Sequence, residues 1–416
     1  MPDTKKRTVL EATQVLTCPG GAGARRGAAQ SRIGLIDDGA VVVTDGRVEA
    51  VGTQQELRQR FPDAQRIDLS GHVVTPGFVD SHTHAVFGRW RLDEYEQRCA
   101  GVPYMEIARR GGGINSSVVD LRARTQTDLV ELGRHRLWRM IEHGTTTVEV
   151  KSGYGLTLDD ELKMLRVIRE LASEVQIDVV PTFLGAHSFP PEYRDRRDEY
   201  VDLVAKTMIP AVAESGLAVF CDVFMEPGVY TREQTARVLE SAVEHGLIPR
   251  LHADEFEASG GAELAVEFAA ASADHLGAIT EEGIAALAAS DTVATLLPGT
   301  LMFLGKEGYP PARQLVERGA AVALATDFNP GSSPTVNLQM VMSLACSRLG
   351  MSPAEALVAV TANGAAALRL EDGRGTLEVG APADVAAFGV PDYRLISYLY
   401  GSNHCVGVWK RGVRVY

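Results

Sequence analysis

The chain has 416 residues, with 41 Lys and Arg against 54 Asp and Glu and a formal charge of −13. That balance argues against nucleic acid, whose phosphates need a clustered basic surface; no apolar run reaches the ~18 residues of a spanning helix, and the basic start Lys5, Lys6, Arg7 leads into Thr, Glu and Gln, so a cytoplasmic protein is expected. Cys18, Cys99, Cys221, Cys346 and Cys405 are far apart and never spaced C-x-x-C, which excludes a disulfide framework and a thiolate zinc site.

The length suits two domains, or one large α/β barrel with an elaboration. From about residue 8 to 75 the pattern is short strands and turns. Asp45-Gly46 joins strands over 40–44 and 47–51 as a two-residue hairpin, and a helix is expected at 54–60. The middle of the chain changes to strand, helix, strand. A strand at 146–150 is followed by a helix opening on Thr157 to Asp160, with Leu162, Leu165, Ile168 and Ala172 on one face. Strands follow at 177–184 and 219–225. Thr231 with Gln234 opens a helix whose Val238, Leu239, Ala242 and Val243 are expected to face inward, closed by Gly246 before a strand at 248–253. The unit repeats through helices at 262–270, 280–289 and 312–318 and strands at 272–276, 292–297 and 320–326. Ser352, Pro353 and Glu355 start another helix. Strands return at 384–388 and 405–409, with a turn at 410–412 into 413–416. Alternation over 250 to 300 residues predicts a parallel (β/α)8 TIM-type barrel over residues 76–375. The strand-rich ends, 1–75 and 376–416, are expected to pair into one small β-sandwich domain.

The ten histidines divide by context. His143 and His245 precede helix-ending glycines, a structural position; His72, His135 and His404 have no ligand-like neighbours. The other five fall at ends of expected strands. His82 and His84, at spacing two after a short apolar strand, put both imidazoles on one side. His187, His252 and His275 follow later strands, as does Asp327, and in a barrel all of these converge on the C-terminal mouth. One such histidine alone is an ordinary hydrogen-bonded residue. Together, His82, His84, His252, His275 and Asp327 point to a metal site of nitrogen and oxygen donors, suited to zinc or iron and to hydrolysis.

These residues resemble the amidohydrolase superfamily, metal-dependent hydrolases with a (β/α)8 barrel and a small β domain from both chain ends. The resemblance covers nearly the whole chain. It narrows on His82 to Gly88 with Arg91, Tyr104 to Ala108, Gly111 to Ile114, Glu149 to Leu156, Phe183 to His187, Leu251 to Glu255 and Thr326 to Ser332. It implies hydrolytic opening of the lactam ring of 4-imidazolone-5-propanoate to N-formimidoyl-L-glutamate, in L-histidine degradation. It implies that His82, His84, His252 and Asp327 bind one Zn²⁺ or Fe³⁺, and that Arg91, Tyr154, His187, Glu255, Asn329, Gly331 and Ser332 line the substrate pocket. A small-molecule substrate is implied, with a homodimer as one assembly it allows.

Ring opening needs a nucleophile, a proton carrier, a stabilised oxyanion and a grip on the propionate. On the implied site Asp327 holds the water's proton, Glu255 carries a proton to the ring nitrogen, and His275 donates to the oxyanion. Arg91 takes the propionate, Tyr154 and Asn329 bond the ring edge, and Gly331 lets backbone come close. Ser81 and the pair Arg89-Trp90 depart from the family pattern, so the rim near Arg91 is expected to differ and Arg89 to compete for the propionate. Lys151 is read as structural or as support for the ligands. Gly21, Gly23 and Gly27 imitate a dinucleotide loop with the wrong spacing. A deaminase of the same superfamily and a non-catalytic scaffold are the other readings; the pocket residues and the metal content separate them.

Overall fold

The computed structural model describes residues 6–102, 106 and 112–416. Eight strands, Phe78–Asp80, Thr145–Lys151, Asp178–Ala186, Phe220–Met225, Ile248–Ala253, Ser272–His275, Val293–Leu296 and Val322–Leu324, lie side by side in chain order, and every pairing is parallel. Helices such as Leu158–Glu174, Arg232–Glu244, Gly261–Glu267 and Glu281–Ala288 connect them. The seam between first and last strands is closed just beyond their ends. There His84 N–H donates to Phe328 O (2.9 Å) and Asp327 N–H to His82 O (3.1 Å). This is the expected (β/α)8 barrel.

The helix starts follow local chemistry. Thr157 Oγ1 accepts from Asp160 N–H at 3.2 Å, while Thr231 with Gln234 and Ser352 with Glu355 form reciprocal capping boxes, Pro353 standing in the first turn of the second. Two inward faces differ from expectation. Helix Leu158–Glu174 buries Met164, Leu165, Val167, Ile168 and Leu171, leaving Leu162 half-buried and Ala172 exposed. Helix Arg232–Glu244 buries Val238, Leu239 and Ala242 but leaves Val243 51 % exposed. In both, the buried stripe ends a residue short of the expected one, because 100° per residue carries the outermost position past the contact with the strands.

The chain ends build a second sheet. Strands Arg7–Leu16, Gly39–Thr44, Arg47–Thr53, Gln65–Pro76, Val385–Phe388, Cys405–Lys410 and Val413–Arg414 are linked edge to edge, with Leu35–Asp37 added beside Arg7–Leu16. Arg7–Leu16 and Gln65–Pro76 pair in parallel; the other neighbours are antiparallel. At the hairpin, Asp45 (φ +50°) and Gly46 (φ +77°) both take the left-handed conformation that a type I′ turn demands. The sheet curls so that Val48 N–H reaches Ala381 O and Ala383 N–H reaches Gly46 O, both at 2.9 Å. Alternate residues then enclose one apolar cluster, with Leu10, Val41, Val43, Val385 and Trp409 among its members. The opposite face packs Val9, Ala40 and Val42 on Leu57 of helix Gln54–Arg60. Among the described residues no helix is long and apolar enough to cross a membrane.

The glycines at 20–27 wrap an arginine, not a phosphate. Arg25 donates to the carbonyls of Cys18, Pro19, Gly21 and Gly23, and a Cβ on Gly20 would lie 2.6 Å from its Nε.

Candidate metal centre and substrate pocket

The barrel strands deliver their polar side chains to one mouth because the residue after each strand must leave the ladder. At that mouth Asp254 (φ +50°), just after its strand, His275 (φ +79°), the last residue of its strand, and Asp327 (φ +51°), three residues past its strand, turn in the left-handed region. Non-glycine residues hold that conformation only where surrounding structure imposes it, and such positions concentrate at functional sites. The result is a tight cluster of donors. Ligand-type atoms of His82, His84 and His252 lie within 4.8 Å of one another, as do those of His82, His275 and Asp327. Asp327 Oδ1 is 3.5 Å from His84 Nε2 and 3.7 Å from His82 Nε2. All five side chains are buried.

Three of these atoms have no hydrogen-bond partner among the described residues: His82 Nε2, His84 Nδ1 and His252 Nε2. A buried polar atom without a partner is costly; His82 Nε2 faces the cluster 3.7 Å from Asp327 Oδ1, and the His84 nitrogen that faces it is Nε2. The chain therefore fits a metal ion there, bound by imidazole and carboxylate. His82 Nδ1 lies 2.7 Å from Asp274 Oδ2 and His252 Nδ1 lies 3.1 Å from Asp222 Oδ1. A carboxylate accepts, so each Nδ1 carries the hydrogen and each Nε2 presents its lone pair to the cluster. Burial, then neighbouring charge, holds His82, His84 and His275 well below the usual histidine range and keeps them neutral, the form that ligates metals. Burial also pushes Asp327 up to about 6. Thr300 Oγ1–H donates to Asp327 Oδ2 at 2.6 Å, leaving Oδ1 toward the imidazoles.

Glu255 lies beside this cluster, with Oε1 3.5 Å from His275 Nδ1. Burial, with the Asp327 and Glu226 carboxylates close by, raises it well above the usual carboxylate range, which favours its protonated form. His187 Nδ1–H donates to Gly153 O at 2.9 Å, and its ring stacks on His84 at 5.0 Å. Tyr154 is buried, its ring 5.3 Å from that of His187 and 6.0 Å from that of His84.

Arg91 and Gly331 meet directly. A Cβ on Gly331 would fall 1.8 Å from Arg91 Nη2, so only glycine leaves room for the guanidinium. Arg91 Nε is 3.2 Å from Glu94 Oε2, and Glu94 Oε1 accepts from Gly113 N–H and Ser116 Oγ–H. Arg89 is exposed, with its N–H on Asp120 Oδ2. Asn329 spends its amide within its own loop: Nδ2 donates to Asp327 O and Ser332 Oγ, and Oδ1 accepts from Gly331 and Ser332 N–H. Tyr104, Met105, Ile107, Ala108 and Gly111 lie outside the described residues.

Several residues near the site had no part in the sequence reading. Buried Glu161 accepts from Gly153, Gly155 and Leu156 N–H and so shapes the loop that carries Tyr154. Glu226 accepts from Glu255, Phe256 and Glu257 N–H and fixes the turn that carries Glu255. Asp222 and Asp274 orient the histidines. A signal was present for Asp222, an acid inside the otherwise apolar strand Phe220–Met225; the other three carry no such local mark.

Comparison with known proteins agrees with this architecture. The model of the amidohydrolase family matches residues 73–415, and the chain belongs to that family. A bacterial imidazolonepropionase-like composite domain matches residues 39–64. The chain is 47 % identical to an imidazolonepropionase of Brevibacillus brevis, covering 99 % of this chain and 98 % of that one. It is also 47 % identical to that of Symbiobacterium thermophilum over 97 % and 96 %. Within the amidohydrolases it belongs with the imidazolonepropionases. In fold it is similar to Escherichia coli guanine deaminase (TM-score 0.74, 16 % identity, covering 100 % and 99 % of the two chains). It is likewise similar to a zinc-bound adenosine deaminase of Xanthomonas campestris (TM-score 0.69, 19 % identity, 98 % and 92 %).

Proposed function

We propose that the chain hydrolyses 4-imidazolone-5-propanoate to N-formimidoyl-L-glutamate, a ring-opening step of L-histidine degradation. One observation carries the reading from metal hydrolase to this substrate. The loop that holds Asp327 in the donor cluster also supplies Gly331, the seat of a nearly buried guanidinium, Arg91. A hydrolytic centre and a carboxylate grip thus share five residues of chain. A deaminase reading has only distant fold similarity behind it.

In this reading His82, His84, His252 and Asp327 hold one Zn²⁺ or Fe³⁺, both suited to imidazole and carboxylate donors. When bound, the ion supplies Lewis-acid polarisation of the lactam carbonyl and a water more acidic than bulk. The chain does the rest. Arg91 pairs with the propionate and sets the ring's distance from the cluster. Asp327 Oδ1, its other oxygen engaged by Thr300, takes the proton of the attacking water. His275 donates a hydrogen bond as charge builds on the carbonyl oxygen. Glu255 delivers a proton to the ring nitrogen as the C–N bond breaks, so the formimidoyl nitrogen leaves neutral. Tyr154 and His187 flank the ring, while Asn329 and Ser332 keep the Gly331 loop in shape.

The reading extends to a homodimer in the cytoplasm; its five cysteines, all free thiols, suit a reducing compartment. The test is an assay of purified, metal-replete protein with enzymatically generated 4-imidazolone-5-propanoate. Loss of ring absorbance with matching appearance of N-formimidoyl-L-glutamate is expected. A persistent ring overturns the assignment.

A further inference from the structure

Behind the donor cluster, on the side away from the mouth, lie two cations with no solvent exposure, Lys151 and Arg250. Lys151 Nζ is 2.8 Å from Asp222 Oδ2 and donates to Glu149 Oε1 at 2.8 Å. Asp222 Oδ1 in turn faces His252 Nδ1 at 3.1 Å and accepts the His252 backbone N–H at 3.2 Å. Arg250 Nη2 donates to Asp274 Oδ2 at 3.0 Å, and that same oxygen receives His82 Nδ1–H at 2.7 Å. Arg250 also donates to Ser81 O (2.7 Å), the residue before His82, and to Ala367 O (3.0 Å). Two relays of the same form, cation to carboxylate to imidazole, therefore converge on the cluster, their carboxylates carried by the two strands that flank Ile248–Ala253. His84, whose Nδ1 has no partner among the described residues, has no such relay.

A buried cation close behind a metal site is electrostatically adverse, since it repels the incoming ion. It is retained only if it does something else. A lone buried carboxylate is costly and mobile, and without a fixed acceptor on Nδ1 an imidazole can present either tautomer. Fixing the carboxylate fixes the ring and the nitrogen it offers.

We propose that Lys151 and Arg250 are positioning residues for the metal: each pins, through Asp222 or Asp274, the imidazole of one ligand, and so raises the affinity of the site. The proposal rests on the metal reading above. It has a sign that a purely electrostatic role does not share. If the cations acted by charge alone, removing them would tighten metal binding; acting through the carboxylates, their removal weakens it.

The experiment measures the Zn²⁺ dissociation constant of chelator-stripped full-length protein by competition with a chromophoric chelator, with thermal melting of the apo-protein in parallel. Lys151→Met, Arg250→Met and Asp222→Asn are each expected to weaken Zn²⁺ binding about 10- to 100-fold. The double variant Lys151→Met/Asp222→Asn is expected to match Asp222→Asn alone, because both act through one carboxylate. Folded single variants that bind Zn²⁺ as well as the parent, or better, overturn the proposal; so does a double variant whose losses simply multiply. Should Lys151→Met fail to fold, the double variant, which removes one charge of each sign, carries the test, and parental affinity there is equally fatal. Parent protein that takes up no Zn²⁺ or iron overturns the metal reading itself, a result distinguishable from the others.

Discussion

The two sheets use the same alternation of side chains to opposite ends. In the sheet from the chain ends, alternate residues bury Val, Leu and Ala, and charge sits mostly in partly exposed pairs such as Arg7 with Glu49 and Arg58 with Glu11, with Lys410 and Asp384 a buried pair at its edge. In the barrel, strand positions that could have carried Val or Leu carry Asp80, Glu149, Lys151, Asp222, Arg250 and Asp274, all without exposure. An apolar replacement of matching shape is often as stable as a buried ion pair, or more so. The terminal sheet is therefore the stabilising half of the comparison. The barrel centre is where stability is given up for geometry, and its charges persist because nearly every one faces an opposite charge or a hydrogen-bond donor.

Perturbing the two regions should give opposite signatures. At the mouth, His84→Ala and Asp327→Asn are each expected to cut turnover by at least ~10³-fold, with little change in the unfolding of the apo-protein; steady-state rates and urea melts decide it. In the terminal sheet, Leu10→Ala, at a position 1 % exposed, should cost about 2–5 kcal/mol in urea unfolding and leave kcat unchanged in the folded fraction. A kcat loss there would mean that the regions are not separable. Between these lies the propionate grip. Arg91→Ala should raise KM about 100-fold, equivalent to ~2.7 kcal/mol, with a smaller effect on kcat. Gly331→Ala, whose new Cβ displaces the same guanidinium, should raise KM about tenfold.

The smallest expected effect is a pH slope. Burial pushes Glu226 from its ordinary value of 4.5 up to about 7, against three backbone N–H donors that pull it down. Between those values the folded chain holds a proton there that the unfolded chain has released, so this group's contribution to stability falls as pH rises from 4.5 to 7. Glu226→Gln should flatten that part of the stability profile, read by melting temperature against pH. An unchanged slope would show that Glu226 is not its source.

Much of the barrel and its mouth was legible because two local rules hold there. Strand-end histidines and the capping motifs at Thr157, Thr231 and Ser352 are written in adjacent residues. Helices Gln126–Ile141 and Leu338–Arg348 escaped notice for a physical reason. The first mixes Arg136 and Gly133 into its buried face, and the second buries Gln339 and Ser343, so neither reads as an apolar stripe. Arg136 is buried because it donates to the carbonyls of Ala85, Phe87 and Gly88, a contact that only the folded loop after His84 creates. The relays behind the cluster were half legible. Arg250 precedes His252 by two positions, as Asp80 precedes His82, and spacing two in a strand means one face. Which carboxylate each cation meets depends on the register of neighbouring strands, which no local pattern encodes.

The seam of the barrel has a consequence for how the protein is made. His82 and Asp327 stand some 245 residues apart, yet their backbones are bonded to each other and their side chains share the donor cluster. A ribosome must emit nearly four-fifths of the chain before the site can exist. Strand Gln65–Pro76 waits longer still for its partner Val385–Phe388. During that interval the first histidines emerge without the groups that later bury them. Contacts of such long range make folding slow and leave unpaired edges exposed. A nascent chain stalled before Asp327 would therefore carry cluster histidines but no closed metal site, so incorporation of the ion becomes a late event in biosynthesis.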